Sequence, residues 1–373
     1  MSARSTEAER LTLRRLHAED GPAALALAEQ ADLAGELRLR FDRGPDFFAW
    51  PAAVLDDWTY IGAFDGDRLV GFGMVSLPRG WTGSEWGPYA FSGDLRVRPE
   101  LRGRGVAARI TRALRAQVPP EARFIAGVVL RGNRAGLAFV RRHTPAGFAL
   151  RDLGGLVATT RLAHRAARND EGVARLGNDD LEAVRDLLAA GPHGLLAPEP
   201  TLREARRLLE PGPPAPGLAL GVRDGTRLTG LVALRDLSAV RRAVLARESA
   251  GLAVTRRAFG LAARLGGLPS LPPPGRPLRS LTVTRLLVPA ARAGPEERIR
   301  VARALVRAAR AEALSRGMPL LTVGLHARDP LRAAVERGLA HRHELGMYLA
   351  VAGAPVPAEA TAAAPPCLDF GLV

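Results

Sequence analysis

The sequence predicts an α+β (mixed α/β) chain built from two copies of one unit, and three observations carry that reading. The first is a repeat. Ala63-Phe64-Asp65-Gly66-Asp67-Arg68-Leu69-Val70-Gly71 recurs as Gly221-Val222-Arg223-Asp224-Gly225-Thr226-Arg227-Leu228-Thr229-Gly230, and in each case Asp-Gly marks a hairpin turn between two apolar runs. The second is that later elements return in the same order. A helix over 106–118 has its counterpart over 299–314, and a buried strand over 124–130 has one over 320–325. The turn at Asn133 is matched by Asp329-Pro330, read as an N-cap with Pro at the first helical position. The third is size: 373 residues with 47% hydrophobic content fill two ordinary domains but hardly three.

The elements of the first copy follow from local pattern. Asp94-Leu95-Arg96-Val97-Arg98-Pro99 reads as a strand that enters a glycine-spaced turn, Arg102-Gly103-Arg104-Gly105, and then a helix starting at Val106-Ala107. With no side chain at 103 and 105 the backbone can turn tightly against an anion, and the helix start adds unpaired N–H donors and its positive dipole end. Arg102 and Arg104 add formal charge. In the helix, Val106, Ile110, Ala113, Leu114 and Val118 share one stripe, Arg109, Arg112 and Arg115 another, and Pro119-Pro120 stop it. Phe124 to Leu130 is a short apolar strand, followed by Asn133 and a helical pattern through Leu137 and Val140. A nucleoside triphosphate loop has no match here, and no third glycine is placed for a dinucleotide fold.

The stretch Leu95, Val97, Pro99, Arg102, Gly105, Ala107 resembles the acyl-CoA signature of the GNAT superfamily of N-acetyltransferases. That resemblance implies a mixed central sheet flanked by helices in each copy. It also implies acetyl-CoA as co-substrate, main-chain contacts from Leu95, Arg96 and Val97 to the pantetheine arm, and a pyrophosphate on the turn Arg102, Gly103, Arg104, Gly105, Val106, Ala107. Asn133 would lie beside the cofactor, or else be a plain N-cap. Members of the superfamily often carry a Tyr seven residues after this Asn as general acid. Here that position is Val140, so the proton donor is elsewhere or is water.

The second copy lacks the cradle. After the strand 281–288 comes Pro289-Ala290-Ala291-Arg292-Ala293-Gly294-Pro295-Glu296-Glu297, where Pro removes a donor and the glutamates repel phosphate. It is therefore expected to be a degenerate partner that helps wall the first site, as in tandem members of the superfamily with one working half. The copies are assigned to residues 9–165 and 174–352, with an Ala/Pro-rich flexible tail over 353–373 whose last residues, from Cys367, are apolar enough to dock. An insertion over 240–277, rich in Arg with interleaved apolar residues, reads as a basic amphipathic helix or helix pair. It is either docked on its own domain or a lid or surface for an anionic partner.

Composition narrows the partners. The net charge of +15 would suit nucleic acid, an anionic membrane or a polyanion such as CoA. Arginines spread over both halves and only 5% aromatic content argue against a nucleic-acid surface, and no apolar run approaches a membrane span. All 53 basic residues are Arg, which fits a GC-rich bacterial source. One cysteine, Cys367, excludes an internal disulfide and points to the cytoplasm.

For chemistry, Asp94 at the mouth of the Leu95 strand is the first candidate for base or proton relay; its alternative is an ion pair with Arg96 or Arg98, or a strand-end cap. Glu85, in the loop 81–86, is the second. The acceptor pocket is expected from Phe41 to Trp58 and Arg79 to Phe91, which hold Phe47, Phe48, Trp50, Trp81, Trp86 and the carboxylates Asp42, Asp46, Asp56 and Asp57. His326, His341, His343 and Glu344 lack a well-spaced further ligand, so no metal is expected. The reading is an acetyl-CoA-dependent N-acetyltransferase acting on a small-molecule amine, first half catalytic. The alternative is a non-catalytic acyl-CoA sensor or scaffold.

Overall fold

The computed structural model describes residues 10–30, 38–55, 57–144, 148–163, 172–191, 193–247, 253–254, 256–257, 260, 272–336, 340–352 and 364–368. In chain order the first half gives β1 (Thr12–Arg15), α1 (Gly21–Ala28), β2 (Arg38–Asp42), α2 (Ala49–Val54), β3 (Trp58–Asp65), β4 (Arg68–Ser76), β5 (Arg79–Trp81), β6 (Trp86–Pro88), β7 (Ala90–Val97), α3 (Val106–Arg115), β8 (Phe124–Leu130), α4 (Arg134–His143) and β9 (Phe148–Leu162). The second half gives β10 (Val173–Leu176), α5 (Leu181–Ala189), α6 (Leu202–Leu209), β11 (Gly217–Asp224), β12 (Arg227–Asp236), β13 (Arg242–Arg247), β14 (Pro277–Leu278), β15 (Ser280–Leu287), α7 (Pro295–Ser315), β16 (Leu320–His326), α8 (Arg332–Val335) and β17 (Ala340–Ala352).

Both Asp-Gly hairpins form: β3 pairs with β4 around Gly66, and β11 with β12 around Gly225, both glycines at φ +56°. The helix after the cradle packs by its apolar stripe, with Val106, Ile110 and Leu114 buried against β3, β4 and β7. Its close approach depends on glycine. A Cβ on Gly71 would stand 2.9 Å from Ile110, and one on Gly73 2.9 Å from Leu114. In the second half α7 buries Val301, Ala302, Leu305, Val306 and Ala309 in a separate cluster with β11, β12, β15 and β16 residues. It starts at Pro295, one turn earlier than the apolar periodicity alone shows, because Pro at the first position tolerates the missing donor.

One sheet of twelve strands runs through both halves, ordered β1-β3-β4-β7-β8-β17-β9-β16-β15-β12-β11-β10. The long last strands are exchanged. β17, from the end of the chain, pairs antiparallel with β8 of the first half over Leu345–Val351, while β9 of the first half pairs antiparallel with β16 of the second. The two exchanged strands pair with each other from Ala340↔Arg161 to Ala352↔Phe148. Each half is thus completed by a strand from the other, although in sequence the copies meet near 163–175.

A second, small sheet, β14-β13-β2, also joins the halves: Arg242↔Asp42 and Ala243↔Phe41 pair antiparallel. This corrects the expectation for the 240–277 insertion at its ends, while the residues described in its middle, 253–254, 256–257 and 260, are helical. Its two ends are strands, because Ala243 and Val244 find the edges of β2 and β14 as partners; most of 248–271 lies outside the described residues. The Asp329 turn also differs in detail. Asp329 accepts from the Leu331 amide at 2.8 Å, and the short α8 begins only at Arg332. At the far end, the Cys367 amide donates to Leu195 O at 2.8 Å and Leu368 is buried; residues 369–373 are outside the described set. Among the described residues no helix is long and apolar enough to cross a membrane.

Candidate active site

Gly103 and Gly105 take φ values of +75° and +86°, the left-handed region where a side chain is strained. Gly105 is the N-cap of α3 and no side chain caps that helix, so its first N–H groups point out of the turn without an intrahelical partner. Nothing stands within 4 Å of where a Cβ on Gly103 would be. The cradle read from the sequence is therefore open, donor-rich and at the positive end of a helix, which is the set of donors a pyrophosphate needs. The corresponding Gly294 is extended, φ −66° and ψ 167°, and is followed by Pro295, Glu296 and Glu297 in the first turn.

The cradle opens into a cavity of about 1490 Å³. It continues along a gap in the sheet. β7 and β8 run parallel but pair only at Ala90↔Ile125 and Phe91↔Ala126. Beyond those two pairs Leu95, Arg96 and Val97 face the cavity from one side, and Val128 to Leu130 from the other. The cause is a bulge: Asp94 takes φ +54°, and the β4–β7 register slips between Phe72 and Met74. Arg102, Gly103, Gly105, Val106, Ala107 and Asn133 also line the cavity; Arg104 is not among its lining residues.

Asn133 is the N-cap of α4, its Oδ1 accepting from the Gly136 amide at 2.9 Å. It is thus an N-cap that also lines the cavity. Asn133→Ala is expected to lower stability by about 0.5–2 kcal/mol through the lost cap, and Asn133→Ser to recover most of it, as read by urea unfolding.

Asp94 lines the cavity but is held on all sides. Its side chain is 4% exposed; Oδ2 accepts from Arg43 Nη1 at 2.5 Å and from the Tyr60 hydroxyl at 2.8 Å, while Arg96 Nε stands 3.5 Å from Oδ1. Burial pushes the carboxyl up, but Arg43, Arg96 and the two hydrogen bonds outweigh it and hold it below the usual carboxylate range. Arg43 is buried too, and there Asp94 outweighs the desolvation that opposes its charge. Such a carboxylate is a weak proton acceptor. The arrangement matches the ion pair with Arg96, with Arg43 as the closer partner. Glu85 sits on the β5–β6 turn, half exposed and paired with Arg123, and is not among the cavity-lining residues.

The aromatic segments divide. Phe41, Trp50 and Phe91 line the cavity, whereas Phe47, Tyr60 and Phe72 form an edge-to-face core with centroids 5.0–5.9 Å apart. Trp81 and Trp86 pack with His193 of the second half. Of the carboxylates, Asp42 pairs with Arg242 at 2.7 Å and Asp46 accepts from the Phe48 amide, while Asp56 lies outside the described residues. His326 is buried with Nε2 2.8 Å from Leu153 O, and the side chains of His341 and His343 are outside the described set. Among the described residues no three His, Cys, Asp or Glu gather as metal ligands.

Two sets of cavity residues escaped the sequence. Arg43 and Arg241 flank Trp50, with guanidinium carbons 4.7 and 5.2 Å from its ring, and Arg241 also lies 4.0 Å from the Phe41 ring. Across the exchanged strands Thr160, Ser280, Thr282 and Thr322 bring hydroxyls to the same cavity, Thr322 Oγ1 lying 3.1 Å from Thr160 Oγ1 and 2.8 Å from Ser280 Oγ. Neither set has a local signal, since each joins residues on opposite halves of the chain.

A bulged and parted parallel strand pair thus lies beside an uncapped, glycine-led helix at one end of the cavity. Residues 15–143 match the family model of the acetyltransferase (GNAT) family. N-myristoyltransferase of Saccharomyces cerevisiae with bound myristoyl-CoA superposes with a TM-score of 0.60 at 12% identity, covering 91% of this chain and 82% of that one. A tandem GNAT protein from the clavulanic acid biosynthesis pathway gives 0.53 at 14% identity, covering 92% and 99%. A GCN5-related N-acetyltransferase of Sphaerobacter thermophilus gives 0.51 at 12%, covering 93% and 98%. At these identities the likeness concerns the fold. A comparison with curated protein sequences gives no match.

Proposed function

We propose that the first half binds acetyl-CoA and transfers its acyl group to the amine of a small molecule entering the same cavity. The observation that carries this is continuity: one cavity runs from the Gly103–Gly105 turn through the β7–β8 gap to Trp50 and Arg241. The β7 backbone past Phe91 has no ladder partner on the β8 side, so its amides are available to the pantetheine arm. The amine nitrogen, neutral on attack, bonds to the thioester carbonyl carbon, and the carbon–sulfur bond breaks. Val140 lines the cavity without a proton to give, so the leaving thiolate takes its proton from water. Asp94 acts as a positioning residue, fixing Arg43 and Tyr60 beneath the bulge. The second half supplies wall and strand rather than a second cofactor site.

Thiol release from acetyl-CoA against an amine library tests this reading. Turnover with an amine, and none without, is expected; CoA binding by calorimetry with no thiol release for any amine would leave the sensor reading instead. Val140→Tyr is expected to change kcat by less than about threefold, because the wild-type site already protonates the thiolate from solvent.

A further inference from the structure

Where the long strands are exchanged, three arginines from three elements meet away from the cavity. Thr160 lines the cavity, so Arg161, the next residue of β9, points to the opposite face of the sheet, and none of Arg161, Arg310 and Arg342 is among the cavity-lining residues. Arg161 donates from Nη1 to Val335 O, and Arg342, on β17, donates from Nη2 to Glu336 O at 3.3 Å, so the two guanidiniums hold neighbouring carbonyls at the end of α8. Arg310, on α7, donates from Nη2 to Leu162 O at 3.1 Å, one residue beyond Arg161. The pairing of Ala340 with Arg161 brings the start of β17 beside β9 at this point.

Each of these bonds uses one of the five N–H groups of a guanidinium. The Nε atoms of Arg161 and Arg310 are buried and meet no acceptor among the described residues. Carboxylates on the same elements are committed elsewhere: Glu312 of α7 to Arg316, Glu336 beyond α8 to Arg332, and Glu344 of β17 to Arg131. Burial and the Arg342 guanidinium hold Arg161 below its usual range, and burial and Arg161 do the same to Arg310. Like charges gathered in a partly buried place destabilise the fold until an anion neutralises them. We propose that Arg161, Arg310 and Arg342 form a binding site for a phosphate group, separate from the acyl-CoA cavity. A tetrahedral phosphate carries close to two negative charges and has oxygens to share among several guanidiniums, whereas a carboxylate brings one charge and fits a single fork. Because the site joins β9 of the first half to α7 and β17 of the second, bound phosphate clamps the exchanged strands together.

The test is thermal unfolding of the full chain in inorganic phosphate against sodium chloride of equal ionic strength, with calorimetric titration of phosphate alongside. Both are run on the CoA-saturated wild type and on Gly105→Glu, so that phosphate at the glycine turn does not contribute. Phosphate is expected to bind with one equivalent per chain and, near saturation, to raise Tm by about 2–4 °C over chloride. Arg161→Met, Arg310→Met and Arg342→Met should each weaken phosphate binding at least about tenfold and remove most of the Tm gain, with CoA affinity unchanged. Arg342 is exposed, so its variant folds if the more buried changes do not. Adenosine 5′-monophosphate, with adenosine as its control, separates free phosphate from a phosphate monoester, since the probe with the larger gain is the one the site takes. No gain beyond chloride, a gain abolished by saturation with CoA, or a gain undiminished in all three variants overturns the proposal.

Discussion

Gly105→Glu is expected to raise the Kd for CoA roughly a hundredfold or more, beyond detection in a calorimetric titration, while Gly294→Glu leaves it unchanged. The two glycines hold corresponding places before α3 and α7 but differ in every property that matters. Gly105 is left-handed at φ +86° and leads an uncapped helix whose first turn carries no acidic residue. Gly294 is extended, has open space where a Cβ would go, and precedes Pro295 and two glutamates. A carboxylate at 105 would occupy the dipole end where the proposed site holds the phosphate, and cancel part of its field. Gly105→Asn, a residue that tolerates φ > 0, separates charge from backbone strain: it should weaken CoA binding far less than Glu does. Two CoA equivalents per chain in the wild-type titration would contradict the assignment of a single cradle.

Asp94→Asn is expected to cost about 3–5 kcal/mol of stability, read as a lowered urea midpoint with an unchanged slope. Asn keeps the shape and tolerates the positive φ of the bulge, so the change isolates the charge. It leaves Arg43, buried at 6% exposure, without its carboxylate. Arg43→Met should cost a similar amount. The double variant should cost less than the sum, because the second change then removes an uncompensated charge rather than a pair. Additive losses would mean that the pair is not coupled. The pH dependence has a definite sign. Because the folded Asp94 carboxyl is held low, its stabilisation is complete above the ordinary carboxylate pKa and is lost as pH falls through the folded value. The wild type should therefore lose more stability than Asp94→Asn on acidification below the ordinary carboxylate range. If Asp94 were instead the base, the variant would keep its urea midpoint and lose kcat/KM with an altered pH profile.

The sequence disclosed those parts of the site that are local in the chain. Strand, glycine turn and helix start lie within fourteen residues, 94–107, and each carries its own signal in φ-permissive glycines, apolar spacing or a proline stop. The hairpin repeats were readable for the same reason. What stayed hidden depends on partners far apart. The apolar pattern of β17 says that it is a strand but not that it sits beside β8 rather than β16, since either edge would bury the same face. Arg241 sat in an Arg-rich stretch whose apolar spacing suited a helix, and only the pairing of β13 with β2 turns that segment into strand. For Asp94 only the neighbouring Arg96 or Arg98 could be named as ion-pair partners, because Arg43 and Tyr60, 51 and 34 residues upstream, gave no hint of converging on it.

The exchange of β9 and β17 also sets an order of events during synthesis. β8 is complete when residue 130 has been made, but the strand that closes its open edge ends at residue 352. At ordinary elongation rates of about 5–20 residues per second, those intervening residues take roughly 10–40 s. Throughout that interval the nascent first half presents an unpaired apolar edge, the kind of template on which strands of other chains assemble. The proposed cofactor cradle can form early, since α3 packs on β3, β4 and β7, and on the proposed reading the nascent half docks CoA before its sheet is closed. A ribosome-stalled chain ending before 340 should accordingly recruit holdase chaperones that a chain reaching 352 releases.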